Sequence, residues 1–305
     1  MPTQNPLHPA HPLPAAGAPA ISVVIPVFNG AEYLNRQLRS LADERLSGAV
    51  AFEVIVADNG STDGSVGVAK AWGDRLDLRV IEESERRGQA HARNRGAAAA
   101  KTDLLLFLDQ DDEVAPGYIG HMHAALEHAP FVAARMDPRP LNAGWRLHSR
   151  DLAQEHGLAG VPGSPAWAYG CSLGIRRAEF DRLGGFGEAL PTRAGEDIDL
   201  CWRAAAIGID LEFVPEAVLH YRFPSTIRGL YRQGRTYGLA GAHVDARHGL
   251  AAGDSWFTTV RGFAGPLRLA LGWSRASRAR GAFLLGRRVG ALRGRSDGKL
   301  TRAAK

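Results

Sequence analysis

Three carboxylates follow an apolar run of residues and could bind a divalent cation. Residues 107–112 read FLDQDD, which places Asp109, Asp111 and Asp112 close together. Carboxylates at this spacing repel one another unless a cation compensates them, and Mg²⁺ and Mn²⁺ prefer such oxygen ligands and bridge them to phosphates. A solvated acidic turn after a strand is the structural alternative. The motif predicts a Mn²⁺ or Mg²⁺ site that binds a diphosphate.

Two other polar segments could hold the rest of a nucleotide. Residues 58–63 read DNGSTD, where Asp58 and the backbone donors and hydroxyls after it could bind a nucleoside. Residues 88–96 read GQAHARNRG, a glycine turn that opens a helix carrying Arg93 and could hold an anion. An ordinary turn and a solvated basic helix are the alternatives. The first segment follows residues 26–29, PVFN, by one strand and one helix, which favours a nucleotide site.

A fourth segment groups carboxylates at the start of a predicted helix. Residues 195–203 read GEDIDLCWR, and acidic residues in a first turn commonly cap the helix or interact with its dipole. Glu196 or Asp197 could instead act as a general base on an acceptor hydroxyl, if its pKa suits the operating pH. These two residues are the candidate catalytic residues.

Strands and helices alternate through the first half of the chain and are predicted to position these motifs. Apolar runs indicate strands and near-helical spacing indicates helices. The strands are expected at 21–27, 52–57, 78–81 and 104–108, and the helices at 32–41, 66–72 and 91–100. This alternation predicts an α/β fold with a mostly parallel sheet flanked by helices. Ligands bind at the carboxyl ends of the strands in such sheets, and the polar segments stand there.

The second half is less regular. Helices are expected at 119–128 and 198–206, strands at 168–175 and 211–214, and mainly helical segments at 225–241 and 267–292. We expect a disordered Pro/Ala-rich lead at 1–19, a catalytic domain at 20–225 and a basic helical extension at 226–305. The catalytic domain would divide into a nucleotide-binding half, 20–118, and an acceptor half, 119–225.

Charge and composition limit the class of protein. The 305 residues carry a net charge of +5, but residues 261–305 hold ten arginines, two lysines and one aspartate, a net charge of +11. No apolar run is long enough to span a membrane, and the two cysteines do not suggest a disulfide framework. We expect a cytoplasmic protein whose basic extension either contacts an anionic membrane surface peripherally or packs on the catalytic domain. No signature of nucleic-acid binding is present.

One face of a predicted helix is basic. Arg228, Arg232 and Arg235 stand at helical spacing after Pro224. This face could contact a donor diphosphate or a phosphorylated acceptor, or it could be solvated.

Taken in order, the four motifs resemble family 2 glycosyltransferases of the GT-A fold, over about residues 21–221. The resemblance implies an inverting hexosyl- or deoxyhexosyltransferase that uses a nucleotide-diphosphate-sugar donor and a carbohydrate or lipid-linked acceptor, in the making of a cell-envelope polysaccharide. It assigns the nucleobase pocket to Pro26, Phe28 and Asn29, together with Asp58.

The resemblance also assigns roles around the metal. Arg93 matches a donor-binding arginine, Asp109 and Asp111 match the Asp-x-Asp signature, and Asp197 matches the catalytic base. His220 matches a histidine that touches the metal or the diphosphate in some members. Asn59 departs from the family, which commonly has a second aspartate there.

Two other functions fit parts of the pattern. A nucleotidyltransferase acting on a sugar phosphate would also need a nucleotide pocket and metal-binding carboxylates, although no Gly-rich loop bearing a lysine is evident. A non-catalytic nucleotide-sugar or membrane-surface binding module would need no base, and the presence of Asp197 argues against it.

Overall fold

The computed structural model describes residues 18–47, 50–160, 163–190, 194–250 and 256–303. In these ranges eight strands form one sheet. They are β1 (Ile21–Val27), β2 (Phe52–Asp58), β3 (Leu78–Glu82), β4 (Leu104–Phe107), β5 (Glu113–Val114), β6 (Phe131–Asp137), β7 (Leu173–Arg176) and β8 (Glu212–His220). The α-helices are α1 (Ala31–Ser47), α2 (Ser65–Lys70), α3 (Gln89–Ala99), α4 (Tyr118–His128), α5 (Arg177–Arg182), α6 (Glu196–Ala206), α7 (Ile227–Arg247), α8 (Trp256–Ala270) and α9 (Arg275–Ala303). All but the last two positions of the expected lead, 1–19, lie outside the described residues.

The sheet brings the polar segments to one edge. Its strand order is β3-β2-β1-β4-β7-β6-β8-β5. β1 pairs in parallel with β2 and β4, and β3 adds in parallel to β2, whereas β7 and the short β5 run antiparallel to their neighbours. The predicted α/β fold with a mostly parallel sheet is confirmed, and the carboxyl ends of β1, β2 and β4 meet at the same edge.

Strand β1 is covered on both faces. All seven of its residues are buried, and successive side chains point to opposite sides of the sheet. Val23 and Ile25 pack with Leu38 of α1, whereas Val24 belongs to the core on the α3 side. A Cβ on Gly96 of α3 would lie 2.4 Å from a Val24 methyl, so this close approach requires glycine. Helices on both faces therefore hold the loop that follows β1.

The second half of the sheet contains a strand that was not predicted. Strand β6 has the sequence FVAARMD, in which the alanines and the arginine favour strands weakly, and it is held between β7 and β8. Strand β8 is longer than the predicted segment, and its register against β6 shifts where Pro215, which has no N–H to donate, follows Val214. β7 begins five residues later than expected, because residues 170–172 form a 3₁₀ turn. Helix α5 and the short strand β5 were not predicted either.

Helices α7 and α9 lie side by side and contact each other through glycines. A Cβ on Gly238 of α7 would lie 1.9 Å from the carbonyl oxygen of Arg287, and Gly290 of α9 approaches the α7 backbone as closely. Arg280 of α9 forms an ion pair with Asp151. The C-terminal helices thus pack on the rest of the chain. None of the described helices is both long and apolar enough to cross a membrane.

Candidate functional site

Asn29 ties the loop after β1 to the loop after β2. Its φ of 49° lies in the left-handed region, which residues other than glycine rarely adopt. Its Oδ1 accepts a hydrogen bond from the N–H of Thr62 at 2.8 Å, and its own N–H donates to Oγ of Ser61 at 2.9 Å. Asn29 therefore organises two loops, and it lines neither of the two cavities described below.

Asp58 ends β2 and fixes the turn that follows. Its Oδ2 accepts from the N–H groups of Gly60 and Ser61, each at 3.1 Å. Its Oδ1 is buried and has no hydrogen-bond partner within the described residues. A buried acceptor without a partner is costly. Asp58, like Asn29, lines neither of the two cavities described below.

Asn59 ties the same turn to the loop before α3. Its Nδ2 donates to the carbonyls of Glu83 and Arg86, and its Oδ1 accepts from the N–H of Gly88 at 2.6 Å. An ionised aspartate accepts hydrogen bonds but donates none. The departure from the common family residue is therefore explained by two hydrogen bonds that only the amide can donate.

A cavity of about 220 Å³, here the strand-end cavity, opens at the carboxyl ends of β1 and β4. It is lined by Pro26, Val27, Phe28, Asn59, Arg87, Gly88, Gln89, Ala92, Asp109, Gln110 and Asp111. The structure thus brings together Pro26, Phe28, Asp109 and Asp111 of the predicted site residues. Arg87, Gln89 and Gln110 line the cavity as well and were not predicted.

Phe28 and Arg87, two residues that line the strand-end cavity, lie against each other. The guanidinium carbon of Arg87 lies 5.2 Å from the ring centroid of Phe28. The Gln110 side chain accepts from the N–H of Phe28 at 2.9 Å and donates to its carbonyl at 3.3 Å, which holds this part of the loop. An aromatic ring and a guanidinium plane are both surfaces on which a nucleobase can stack.

Arg93 of α3 joins two of the predicted carboxylates. It is 2 % exposed, and it donates from Nη2 to Asp109 Oδ1 at 2.8 Å and from Nη1 to Glu196 Oε1 at 2.7 Å. Burial lowers the pKa of Arg93, but these two carboxylates outweigh that effect and raise it overall. A Cβ on Gly170 would lie 2.6 Å from Nη1, so the chain must pass this guanidinium without a side chain. Arg93 therefore positions both carboxylates.

The acidic residues after β4 carry more negative charge than the described residues compensate. Burial and the nearby Asp109 raise the pKa of Asp111 to about 6. Burial, Asp111 and Asp109 raise the pKa of Asp112 well above its ordinary value. Asp112 Oδ2 is buried and has no hydrogen-bond partner in the part of the chain that the structure describes. A cation at this cluster would stabilise the ionised carboxylates.

Ligand atoms of Asp109, Asp112 and Cys171 lie within 4.8 Å of one another. Burial and the neighbouring carboxylates raise the pKa of the Cys171 thiol well above its ordinary value, so it stays protonated. A thiol is a poor ligand for Mg²⁺ or Mn²⁺, whereas carboxylates suit these ions. The aspartates are thus the residues that could hold a hard cation.

Arg222, which follows β8, was not predicted and binds the acidic loop. Its backbone N–H donates to Asp112 Oδ1, its Nε donates to the carbonyl of Asp111, and its Nη2 forms an ion pair with Glu113. Its guanidinium carbon lies 4.9 Å from the ring centroid of Tyr33. Arg222 follows the predicted site residue His220 by two positions, so the sequence prediction at His220 indicated the right part of the chain.

His220 ends β8, between β6 and β5. It pairs in register with Asp137 of β6 and with Glu113 of β5. Burial lowers its pKa, and these two carboxylates oppose the effect. His220 lines neither of the two cavities and is not part of the group formed by Asp109, Asp112 and Cys171.

Asp197 and Glu196 begin α6 but differ in what they contact. Asp197 accepts from the N–H of Gly170 at Oδ2 and from the N–H of Ile198 at Oδ1. Glu196 is paired with Arg93. Burial raises the pKa of Asp197, and burial and Asp197 raise the pKa of Glu196 to about 7 although Arg93 lowers it. Of these two carboxylates, Asp197 is the one that forms no ion pair with a described residue.

The neighbouring Asp199 is fully buried and has a structural role. It pairs with Arg203 at 2.8 Å, and with Arg247 and His248 at 3.1 Å each. These contacts join α6 to the end of α7, and they leave Asp199 unavailable as a base.

A second cavity, here the helix-covered cavity, has a volume of about 410 Å³. Asp197, Glu196, Arg93 and Asp109 line one part of it. Two further acidic residues, Asp151 and Asp245, line it as well. Its aromatic and basic lining residues are Arg150, Trp167, Tyr169, Trp202, Tyr221, Tyr237, Phe283 and Arg287. Asp109 and Gln89 line both cavities, which therefore meet there.

The predicted basic face of α7 does not line either cavity. Arg228 and Arg232 are exposed. The opposite side of α7 contributes Tyr237, Ala240 and Val244 to the helix-covered cavity. Gly195, which precedes α6 with a φ of +92°, packs against this side of α7, where a Cβ would lie 3.1 Å from a Val244 methyl.

The sequence matches the family model described as Glycosyl transferase family 2 over residues 22–184, and that of Glycosyl transferase family group 2 over residues 104–280. It is 31% identical over 254 residues to the pre-mycofactocin glycosyltransferase of Mycobacterium tuberculosis, covering 78% of this chain and 51% of that protein. It is 32% identical over 228 residues to the validoxylamine A glucosyltransferase of Streptomyces hygroscopicus subsp. jinggangensis, covering 63% of this chain and 53% of that protein. The chain thus spans about half the length of these curated relatives.

Solved structures share the fold. The mannosyltransferase PcManGT from Pyrobaculum calidifontis, in complex with GDP-Man and Mn²⁺, gives a TM-score of 0.59 at 20% identity and covers 95% of this chain and 91% of that one. Residues 1–349 of S. aureus TarS give 0.53 at 18% identity and cover 94% and 92%. These likenesses confirm the predicted GT-A type of fold. Because the first family model covers more than half of the sequence and a 31% identical relative covers 78% of it, the chain belongs to glycosyl transferase family 2.

Proposed function

We propose that this protein transfers a sugar from a nucleotide-diphosphate sugar to an acceptor hydroxyl, with inversion at the anomeric carbon. The observation that carries the proposal is the junction of the two cavities at Asp109 and Gln89. A donor in the strand-end cavity would present its sugar at this junction. An acceptor in the helix-covered cavity would face that sugar from the side of Asp197.

The strand-end cavity suits the nucleotide. Phe28 and Arg87 line it and offer flat surfaces on which a nucleobase can stack. Fold neighbours support a nucleotide-sugar donor, because PcManGT was solved with GDP-Man and a TarS fragment with UDP-GlcNAc.

Asp197 is the proposed general base. The acceptor oxygen forms its bond to the anomeric carbon as the bond from that carbon to the diphosphate oxygen breaks, and the acceptor proton passes to a carboxylate oxygen of Asp197. Attack from the face opposite the leaving group inverts the configuration. Glu196 is paired with Arg93, which makes it a positioning residue in this scheme.

Asp109 and Asp111 would hold Mn²⁺ or Mg²⁺, with Asp112 beside them. The unpartnered Asp112 Oδ2 and the raised pKa values of Asp111 and Asp112 fit a bound cation. When bound, the ion would offset charge on the departing diphosphate. Arg93 orients Asp109, and Arg222 holds the loop by the Asp111 carbonyl.

We further propose that the turn between α8 and α9 contacts an anionic membrane surface. Leu271 is 83% exposed and Trp273 is fully exposed at this turn. The exposed Arg268 and Arg278 lie nearby in sequence. Tryptophan partitions into the interface of a bilayer, and arginines near the surface add about 1 kcal/mol each through anionic lipids. A lipid-linked acceptor would then be met at the membrane surface.

A screen for nucleoside diphosphate release tests the transferase proposal. UDP-, GDP- and dTDP-sugars are incubated with the wild-type chain in Mn²⁺ and in EDTA, and the released diphosphate is measured. We expect slow release from at least one donor in Mn²⁺ and its loss in EDTA and in Asp109→Asn. Asp181→Asn, at an exposed position of α5, is the matched control and should behave as wild type. No release from any donor would reject the proposal.

A further inference from the structure

Arg150 is a buried cation in the helix-covered cavity. Its side chain belongs to the loop before β7, the residue is 4 % exposed, and it lines the cavity. It forms no ion pair with a carboxylate among the described residues. Within the described ranges its Nη1 donates to Gln233 Oε1 at 2.9 Å, and the Tyr237 side chain is a further hydrogen-bonding neighbour. Buried cations are ordinarily paired, because removal from water is costly for a charge without a partner.

Two donors of Arg150 are unused, and they lie on the same edge of its guanidinium. Nε and Nη2 are buried without a hydrogen-bond partner in the described part of the chain. The N–H groups on these two nitrogens point in parallel, and this edge binds both oxygens of a carboxylate or two oxygens of a phosphate. The free part of Arg150 thus has the geometry of an anion fork.

Four aromatic rings hold the guanidinium without occupying that edge. The guanidinium carbon lies 5.0 Å from the ring centroids of Phe223 and Phe283 and 5.5 Å from those of Tyr221 and Tyr237. Rings attract a cation through their faces, whereas hydrogen bonds run in the guanidinium plane. The rings therefore stabilise the charge and fix its orientation, and they give Nε and Nη2 no hydrogen-bond acceptor in the guanidinium plane.

Tyr169 connects Arg150 to the proposed base. Its ring lies 6.1 Å from that of Tyr221 and 6.4 Å from that of Tyr237, the two tyrosines beside Arg150. The next residue, Gly170, donates its N–H to Asp197. Because Asp197 and Arg150 both line the helix-covered cavity, we expect that one molecule bound there can contact both.

We propose that Arg150 binds an anionic group of the acceptor, so that the acceptor is a sugar or related hydroxyl compound carrying a carboxylate or a phosphate. This inference rests on the proposed function, because it assigns the acceptor of that same reaction. Arg287 of α9, which lines the cavity and has no ion pair among the described residues, adds a second positive charge. The aromatic walls supply surfaces for a sugar ring.

Three ligands that differ at one carbon test the proposal: 4-nitrophenyl β-glucoside, the matching 6-phosphate and the matching glucuronide. Their affinities for the full chain are measured by calorimetry with Mn²⁺ and a nucleoside diphosphate present. We expect wild type to bind at least one anionic ligand about tenfold or more tightly than the neutral glucoside. The ligand preferred among the two anions tells whether a carboxylate or a phosphate is recognised.

Three variants test whether Arg150 causes the preference for an anionic ligand. Arg150→Gln should abolish it, so that the anionic ligands bind no more tightly than the neutral glucoside, and Arg150→Lys should keep part of it, since a lysine has the charge without the fork. Arg293→Gln removes an equal charge from an exposed position of α9 outside the cavity lining and should keep the full preference. Binding of none of the ligands, equal binding of all three, or a preference that survives Arg150→Gln would overturn the proposal.

Two further measurements distinguish a failure of the Arg150 proposal from a failure of the variant to fold and from a failure of the transferase proposal. Circular dichroism and thermal unfolding establish that each variant folds, and Arg150→Lys carries the test if Arg150→Gln does not fold. Donor hydrolysis in Mn²⁺ is measured on the same samples. Intact hydrolysis without an anion preference rejects the role of Arg150 alone, whereas an anion preference without hydrolysis of any donor rejects the transferase proposal.

Discussion

The strand-end cavity and the helix-covered cavity differ in how their walls are built. The first is made by the loops after β1, β2, β3 and β4 and by the start of α3. These loops are fixed by hydrogen bonds between side chains and backbone, such as those of Asn29 and Asn59. The second is made by side chains from distant parts of the chain, from Arg150 to Phe283. The backbone of the loops therefore shapes the proposed donor site, whereas individual side chains shape the proposed acceptor site.

Asp197→Asn should give the largest effect and should separate the two cavities. A neutral amide cannot take the acceptor proton, so transfer should fall by about 10²-fold to 10⁴-fold. Donor affinity should not change, because Asp197 does not line the strand-end cavity. Kinetics at saturating donor, with calorimetry of donor binding, measure both effects, and Asp181→Asn serves as control. Near-normal transfer would remove Asp197 from the mechanism.

The pH dependence of transfer should report the ionisation of Asp197 in the helix-covered cavity. The base must be ionised, and burial raises the pKa of Asp197, so activity should be lost as pH falls through a value above the roughly 3.9 of an exposed aspartate. Below that pKa, kcat/KM should fall about tenfold per pH unit. The profile is measured with donor and Mn²⁺ saturating. A rate that stays constant down to pH 4 would contradict the assignment.

Asn59→Asp tests the backbone order of the strand-end cavity. The change removes both hydrogen bonds that Nδ2 donates and sets a carboxylate against two carbonyls, so the free energy of unfolding should fall by about 1–3 kcal/mol. Denaturant unfolding measures it. Asn35→Asp is the matched control, because Asn35 Oδ1 accepts from Trp72 and an aspartate can still do so. Equal effects of the two variants would show that the turn does not depend on the amide.

Trp273→Ser should give the smallest effect on the folded chain, within about 0.5 kcal/mol, because the side chain is fully exposed. It should nevertheless reduce flotation with anionic liposomes, while flotation with neutral liposomes stays low. Leu46→Ser, at an exposed apolar position of α1, is the control and should leave flotation unchanged. Undiminished flotation of the Trp273 variant would remove this turn from any membrane contact.

The sequence predicted the strand-end cavity better than the helix-covered one, for a physical reason. Asp58 and Asp109 directly follow apolar runs, and parallel strands place the residues at their carboxyl ends along one edge. Asp197 was found through a helix start. Arg150 and Tyr169 stand in segments without periodicity, and Phe283 reaches the cavity only because α9 packs on α7. Packing of distant segments leaves no local pattern, and β6 was missed for the same reason.

The most direct test of the central claim is a crystal structure with Mn²⁺ and the nucleoside diphosphate that gives the largest thermal shift. We expect an anomalous Mn²⁺ peak at Asp109 and Asp111, next to the diphosphate, and we expect the nucleobase to stack against Phe28 and Arg87. The same crystals of Asp111→Asn should lose the peak. A nucleotide bound outside the strand-end cavity, or a Mn²⁺ peak away from these aspartates, would contradict the account.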